Sequence, residues 1–230
     1  MLCNKFIDII VEAFMKYSVF LFIILTVSIS FAQNYYSTSS KEFFEQGLAN
    51  DTAKLESLNL ELLQAAIFHS TNLQRSKKRQ FKYGKNLEKG ASFHSSEMES
   101  KGFFSHLNRK NKKYKTPFDR AEKFKANYVA VGENILEEIA LDYKDNSIYD
   151  SELKNGLYVF YHHNNGKVVR ELTYKELADK MVDSWMHSPP HKANILSKEY
   201  THLGVGVAIK KSPYGTDDLP TVFATQLFGG

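Results

Sequence analysis

Thiol chemistry is nearly missing from this chain. Its 230 residues hold a single cysteine, Cys3, placed ahead of the point where we expect the precursor to be cut. The mature product would then have no disulfide, no cysteine nucleophile, no thiolate metal site and no lipidated cysteine, and its stability must come from its core alone. Internal repeats and long low-complexity tracts are missing too. So are the Gly-x-Ser-x-Gly elbow, the P-loop and the dinucleotide fingerprint, which removes the usual signals for serine hydrolases and nucleotide enzymes. The apolar run at residues 17–31 is short of the roughly 20 residues that a bilayer span needs.

That run is instead expected to be the core of a secretion signal. Lys16 precedes it, and Ser30-Phe31-Ala32 puts small residues at the two positions that a signal peptidase reads. Residues 1–32 are therefore read as a signal peptide cut after Ala32. Asp8 and Glu12 do not suit the basic leading region of such a signal, so translation is expected to start at Met15. A secreted mature protein without a transmembrane anchor follows, either extracellular or periplasmic.

The hydrophobic share of 43% and charged share of 24% are those of an ordinary soluble globular domain. Net charge is +4. The excess gathers in Arg75-Ser76-Lys77-Lys78-Arg79 and in residues 109–115, Arg-Lys-Asn-Lys-Lys-Tyr-Lys. Such clusters read either as solvated loops or as an attraction to anionic polymers or lipids. Export argues against nucleic acid.

Residues 33–57 read as a polar leader followed by a short helix over 41–50, and residues 58–230 as the main domain. Residues 58–74 show a helical recurrence of Leu58, Leu62, Ala65, Ala66 and Leu73. A second helix is expected over 91–101, with Ala91, His94 and Met98 on one face and Gly102 as a left-handed cap; Phe103 and Phe104 then turn into the core. Thr116-Pro117 opens another helix with Phe118, Ala121 and Phe124 on its apolar side. Asn165-Gly166 predicts a hairpin between residues 157–161 and 167–172. Thr173-Tyr174-Lys175-Glu176 is a capping box for a helix bearing Leu177, Ala178, Met181, Val182, Trp185 and Met186. Residues 203–210 alternate Leu, Val and Ile with Gly and Ala, a strand with one bare face. Residues 221–228 are its partner, joined through 213–220. Together these predict an antiparallel sheet covered by helices.

Four motifs carry the chemistry: Ala91-x-x-His94-Ser95-x-x-Met98 running into Gly102-Phe103-Phe104-Ser105-His106; Gly132-Glu133-Asn134-Ile135; Trp185-x-x-Ser188-Pro189-x-His191-Lys192-x-Asn194-Ile195-Leu196; and Tyr200 leading to Gly204-Val205-Gly206-Val207. In this order and spacing the chain resembles the bacterial branch of the CAP superfamily, which also holds cysteine-rich secretory proteins, insect antigen 5 and plant pathogenesis-related proteins. The resemblance covers about residues 60–140 and 173–228. It implies an α+β fold, a three-layer α-β-α sandwich around a central antiparallel sheet. It further implies a cleft lined by His94, Glu133 and His191, with Ser188 where many eukaryotic members have a second glutamate. Residues 141–172 fall outside the motifs and read as an inserted hairpin that governs access to the cleft.

Two neutral imidazoles and a carboxylate, His94, His191 and Glu133, are a normal ligand set for a divalent metal such as zinc. Without metal, Glu133 between two histidines holds one charged while the other acts as a base. His94 reads equally as a core histidine bonded to a backbone carbonyl. Asn134 is expected to tie down a loop, His106 to support the cleft or brace the loop after it, Trp185 to lie in the core, and Ser188 to cap a short helix at Pro189. His187 and His191 are four apart, but two prolines separate them and no glutamate follows the first, so they are not a metalloprotease helix. The functions left are a monomeric secreted binding module for a lipid or anionic envelope polymer, a metal-assisted hydrolase of peptide or ester bonds, or a cell-surface interaction protein in which the cluster is only structural.

Overall fold

The strand with the bare face runs from His202 to Ile209 and organises everything around it. The computed structural model describes residues 35–144, 147–210 and 218–230. The expected signal peptide, Cys3 and most of the 213–220 connection lie outside them. The chain divides into a unit at residues 1–38, of which only the turn at 35–38 is described, and a unit at residues 39–230.

In the second unit the helices are α1 (Ser40–Glu45), α2 (Leu60–Leu73), α3 (Lys85–Lys101), α4 (Pro117–Lys123), α5 (Tyr174–His187) and α6 (Pro189–Leu196), with short 3-10 turns between the early ones. The strands are β1 (Lys82–Tyr83), β2 (Val131–Ile139), β3 (Tyr149–Lys154), β4 (Leu157–His162), β5 (His202–Ile209) and β6 (Thr221–Gly229). The main sheet has the order β1-β5-β6-β2. β5 with β6 and β6 with β2 are antiparallel, while β1 runs parallel to β5 through Lys82↔His202 and Tyr83↔Leu203. The sheet is thus mixed rather than antiparallel throughout, because β1 enters α3 directly and runs alongside β5 for two residues only. No described helix is long and apolar enough to cross a membrane.

The layers follow from side-chain size. A Cβ on Gly204 would meet the backbone of Leu87 and Glu88, and one on Gly206 that of Ala91 and Ser92, so α3 lies flat on this face. The opposite face carries Leu203, Val205 and Val207, all buried, against α2, with α5 packed on α2 in turn. Trp185 is fully enclosed and donates its indole N–H to the Ile135 carbonyl at 3.1 Å. Lys180 Nζ donates to the Ile139 carbonyl at 2.8 Å.

Local chemistry sets the helix ends. Asn59 Oδ1 accepts from the Leu62 N–H at 3.1 Å, so α2 starts at Leu60 instead of at residue 58. α3 begins six residues before the expected Ala91, because Leu87, completely buried, extends the stripe of Ala91, His94 and Met98 one turn back. Gly102 closes it in the left-handed region at φ 58°, where a glycine meets no Cβ penalty. The capping boxes at Thr116/Asp119 and Thr173/Glu176 are both formed.

Two expectations hold only in part. The hairpin turns at Asn155-Gly156, with φ 52° and 83°, the twin left-handed pair that a two-residue turn requires, and joins β3 to β4. Asn165-Gly166 turns the chain back along β4 as expected, but briefly: the His162 N–H donates to the Lys167 carbonyl and the Val169 N–H to the Phe160 carbonyl, each at 2.8 Å, around the single bridge Tyr161↔Val168, before the segment leaves to bridge Leu141↔Glu171. Phe104 and Phe118 do not enter the core; they are 49% and 52% exposed.

Candidate functional site

α3 is pressed to the sheet by the two glycines, and this points His94 inward, where it is wholly buried. Its Nε2 lies 3.0 Å from the Ser105 carbonyl, an oxygen that can only accept, so Nε2 carries the proton. β2 alternates, sending Glu133 and Ile135 to the α3 side and Asn134 to the other. Glu133 Oε1 is 3.8 Å from His94 Nε2 and 2.9 Å from His106 Nδ1. Burial, the largest effect, pushes the His94 pKa down to about 4, although Glu133 opposes it.

The strongest partner of Glu133 is Arg120, whose Nη2 stands 2.5 Å from Oε2, with neither side chain more than 1% exposed. The same guanidinium donates to the carbonyls of His106 and Lys115, each at 3.0 Å, and of Tyr114 at 3.4 Å. One buried cation thereby holds the carboxylate and the loop from 105 to 116 together. A charge-assisted pair of this kind gains from the engagement of both terminal nitrogens, while Nε is left buried without a partner. His106, with 47% of its side chain exposed, turns Nδ1 to Glu133 and leaves Nε2 as the nitrogen toward solvent.

The opposite face carries an amide network. Asn134 Nδ2 donates to Gln226 Oε1 at 2.9 Å and to the His191 carbonyl at 3.1 Å. Asn194 Nδ2 donates to Asn134 Oδ1 at 2.8 Å and to the Glu133 carbonyl at 3.2 Å, and Gln226 Nε2 to Thr71 Oγ1 at 2.8 Å. These bonds fasten α6 to the edge strand β2.

Of the six residues singled out from the sequence, His94, His106 and Glu133 therefore form one bonded group. Asn134 lies on the far face of the same strand and ties down α6. His191 enters through its backbone; its half-buried imidazole has a pKa lowered by burial and then by His106, so it approaches the cluster on the His106 side. Ser188 occupies the cap position of α6 without a side-chain cap bond. His187 and His191 sit on different helices.

These residues do not fit a divalent cation in this arrangement. Both oxygens of Glu133 already accept from Arg120 and His106, and the adjacent Arg120 charge opposes a second cation. His94 Nε2 is committed to a carbonyl, and its remaining lone pair, on Nδ1, is buried without a partner. Among the described residues no group of three or more His, Cys, Asp or Glu has metal-holding geometry.

Sequence reading missed Arg120 and left Asn194, Gln226 and Thr71 without roles. A signal for Arg120 existed: it falls next to Ala121 on the inward side of a capped helix, where a charge demands a buried partner. The described hollows lie elsewhere. One of about 650 Å³ is lined by Asp142, Arg170, Glu176, Asp183 and His187, and one of about 510 Å³ by Leu157, Val159, Phe160 and Val168 of the inserted hairpin. The insertion leaves β2 at its Ile139 end, roughly 20 Å along the strand from Glu133 at about 3.3 Å per residue.

Comparison with known proteins places this geometry in a family. The chain is 24% identical to uncharacterized protein YkwD of Bacillus subtilis over 172 residues, 74% of this chain but 51% of that protein, so it spans about half the length of that relative. Its fold was compared with an extracellular SCP-domain protein of Bacillus anthracis, at 22% identity and TM-score 0.47, covering 74% of this chain and 41% of the other. An outer surface protein of Borrelia burgdorferi matches at 16% identity and TM-score 0.41, covering 71% and 88%. The family model of the CAP domain matches residues 71–228, a stretch holding His94, His106, His191, Glu133, Arg120 and all but the last residue of the main sheet, and the chain belongs to the cysteine-rich secretory protein family.

Proposed function

We propose that this protein is a secreted binding module, and that it grips the anionic headgroup of an envelope lipid with the loop between Phe104 and Phe118. The observation that carries this reading is the Arg120–Glu133 pair. It neutralises the buried centre from within and converts the cluster from a reactive site into the anchor of a loop. Arg120 holds that loop by three of its carbonyls. On its outside stand Arg109, Lys110, Lys112, Lys113 and Lys115, all exposed, flanked by the exposed rings of Phe104 and Phe118. Cations beside exposed apolar rings suit a headgroup with acyl chains next to it. The signal-like run at 17–31 and membership of a secretory family support export.

Flotation with vesicles of pure phosphatidylglycerol against vesicles of a neutral galactolipid tests it. Binding to the first alone, lost on K110E/K112E/K113E and weakened by salt, is expected. Equal binding to both, or to neither, overturns it; capture by soluble polyphosphate but not by vesicles assigns a polymer instead.

A second reading, hydrolysis of a peptide or ester bond without metal, is favoured by the Glu133–His106 contact. A carboxylate fixing Nδ1 of an imidazole leaves Nε2 placed as a general base toward solvent. Turnover of activated esters that disappears in His106→Gln supports this reading, and no turnover above that variant removes it.

A further inference from the structure

Three aromatic rings on the outer side of α4 surround a single ammonium group. Lys123 Nζ lies 4.0 Å from the centroid of Tyr114, 4.9 Å from that of Phe93 and 5.1 Å from that of Phe124. The rings come from α3, from the loop and from the cap of α4. They are set as walls: Phe93 meets Tyr114 edge-on at 5.7 Å and 86°, and Phe124 at 5.9 Å and 58°. All three are half-buried, while Lys123 is exposed. Lys123 Nζ lies over each of the three rings, whose faces are the electron-rich side that attracts a cation.

We propose that this cage is a binding site for a quaternary ammonium group such as the trimethylammonium of choline, and that Lys123 is the intramolecular occupant that the ligand displaces. A primary ammonium is compact and strongly hydrated, so it gives up water to sit among rings. A trimethylammonium is larger, carries its charge on methyl groups and loses little hydration. Ring cages favour it for that reason. Displacing Lys123 requires only that an exposed side chain swing into solvent. Lys112, Lys113 and Lys115 stand along the same loop, with Lys113 Nζ 5.4 Å from the Tyr114 ring, so a phosphate attached to the ammonium, as in phosphocholine, meets cations beside the cage. The site goes beyond the headgroup reading above, since it selects a cation and its cage is built from rings that reading does not use, although the neighbouring lysines serve both.

The test uses choline chloride, phosphocholine and potassium chloride, with aromatic proton NMR and calorimetry on the full chain. Choline is expected to shift the ring signals of Phe93, Tyr114 and Phe124, and potassium to leave them unmoved. Removing the internal competitor in Lys123→Ala should tighten choline binding roughly fivefold, and Tyr114→Leu should weaken it by a similar factor. Tyr114→Phe keeps the ring and should keep the affinity, which separates loss of the cage from loss of folding. No ring shift with choline in either wild type or K123A overturns the proposal, as does an affinity that K123A leaves unchanged. Choline carries no anion and phosphatidylglycerol no quaternary ammonium, so the two readings fail separately.

Discussion

Arg120 Nη2 and Glu133 Oε2 face each other at 2.5 Å across the gap between α4 and β2, both shut off from solvent. A buried pair of this kind contributes little over an apolar replacement of both partners, yet losing one partner leaves an uncompensated charge. Arg120→Met is therefore expected to destabilise the protein by about 3–5 kcal/mol, and the double variant R120M/E133L by clearly less. Urea denaturation of the two variants checks this; a double variant as unstable as the single would show that the pair's worth lies in the loop carbonyls alone.

Acid should weaken the fold through His94. Its pKa is near 4 when folded and near the ordinary 6.5 when unfolded, so between these values the unfolded chain holds more protons. Stability is full above pH 6.5 and falls as pH drops toward 4, by about 3 kcal/mol from this one group. In His94→Gln that part of the slope should vanish. Stability curves at closely spaced pH values measure the difference, and an unchanged slope in the variant would remove His94 from the account.

Zinc is expected to find no site in the cluster. Titration to micromolar levels should leave the His94 and His106 imidazole signals in place, since both oxygens of Glu133 are engaged by Arg120 and His106. Shifts of both histidines at equimolar zinc would mean that the arginine gives way to the ion.

Cutting the amide network should loosen α6. Asn134→Leu strands the Gln226 oxygen and the His191 carbonyl, at about 1–3 kcal/mol for each group left without water, and leaves the Asn194 amide only its bond to the Glu133 carbonyl. Amide exchange in α6 should rise well before that in α3. Uniform exchange across both helices would show that α6 is held by other contacts.

Glycine substitutions should separate space from backbone conformation. A methyl at Gly206 runs into the backbone of Ala91 and Ser92, and overpacking of this kind costs about 3 kcal/mol or more. At Gly166, where φ is +64° and the surroundings are open, alanine should cost about 1 kcal/mol. Thermal midpoints of the two variants rank them, and a smaller loss at Gly206 would contradict the close seating of α3.

The layers and most helices were legible because each has a local cause. The bare face of β5 announced α3, and Thr173 with Glu176 announced α5. The longer hairpin was missed because two Asn-Gly pairs lie ten residues apart. The first joins Tyr149–Lys154 to Leu157–His162 over six paired residues, while the second returns along β4 for a few residues only. Phe104 was assigned to the core on hydrophobicity, a preference that says nothing about which of two neighbouring rings turns inward; Phe103 does, against Met98 and Ile135. At the site, the four motifs held the three residues that meet, His94, His106 and Glu133. They could not reveal that His191 also accepts from Asn134 through its carbonyl, because that depends on how Asn134 and Asn194 draw the helix over the strand. Arg120 was invisible as a partner since its carboxylate is thirteen positions away on another element.

β2 borders the main sheet, and a bordering strand offers its outward carbonyls to any passing chain. Here Asn194, Trp185 and Lys180 each donate to one of them, at Glu133, Ile135 and Ile139. An intruding strand would have to evict an amide, an indole and an ammonium before it could form its first ladder bonds. On this border the sheet thus resists growing sideways into aggregates, a protection obtained without any cross-link.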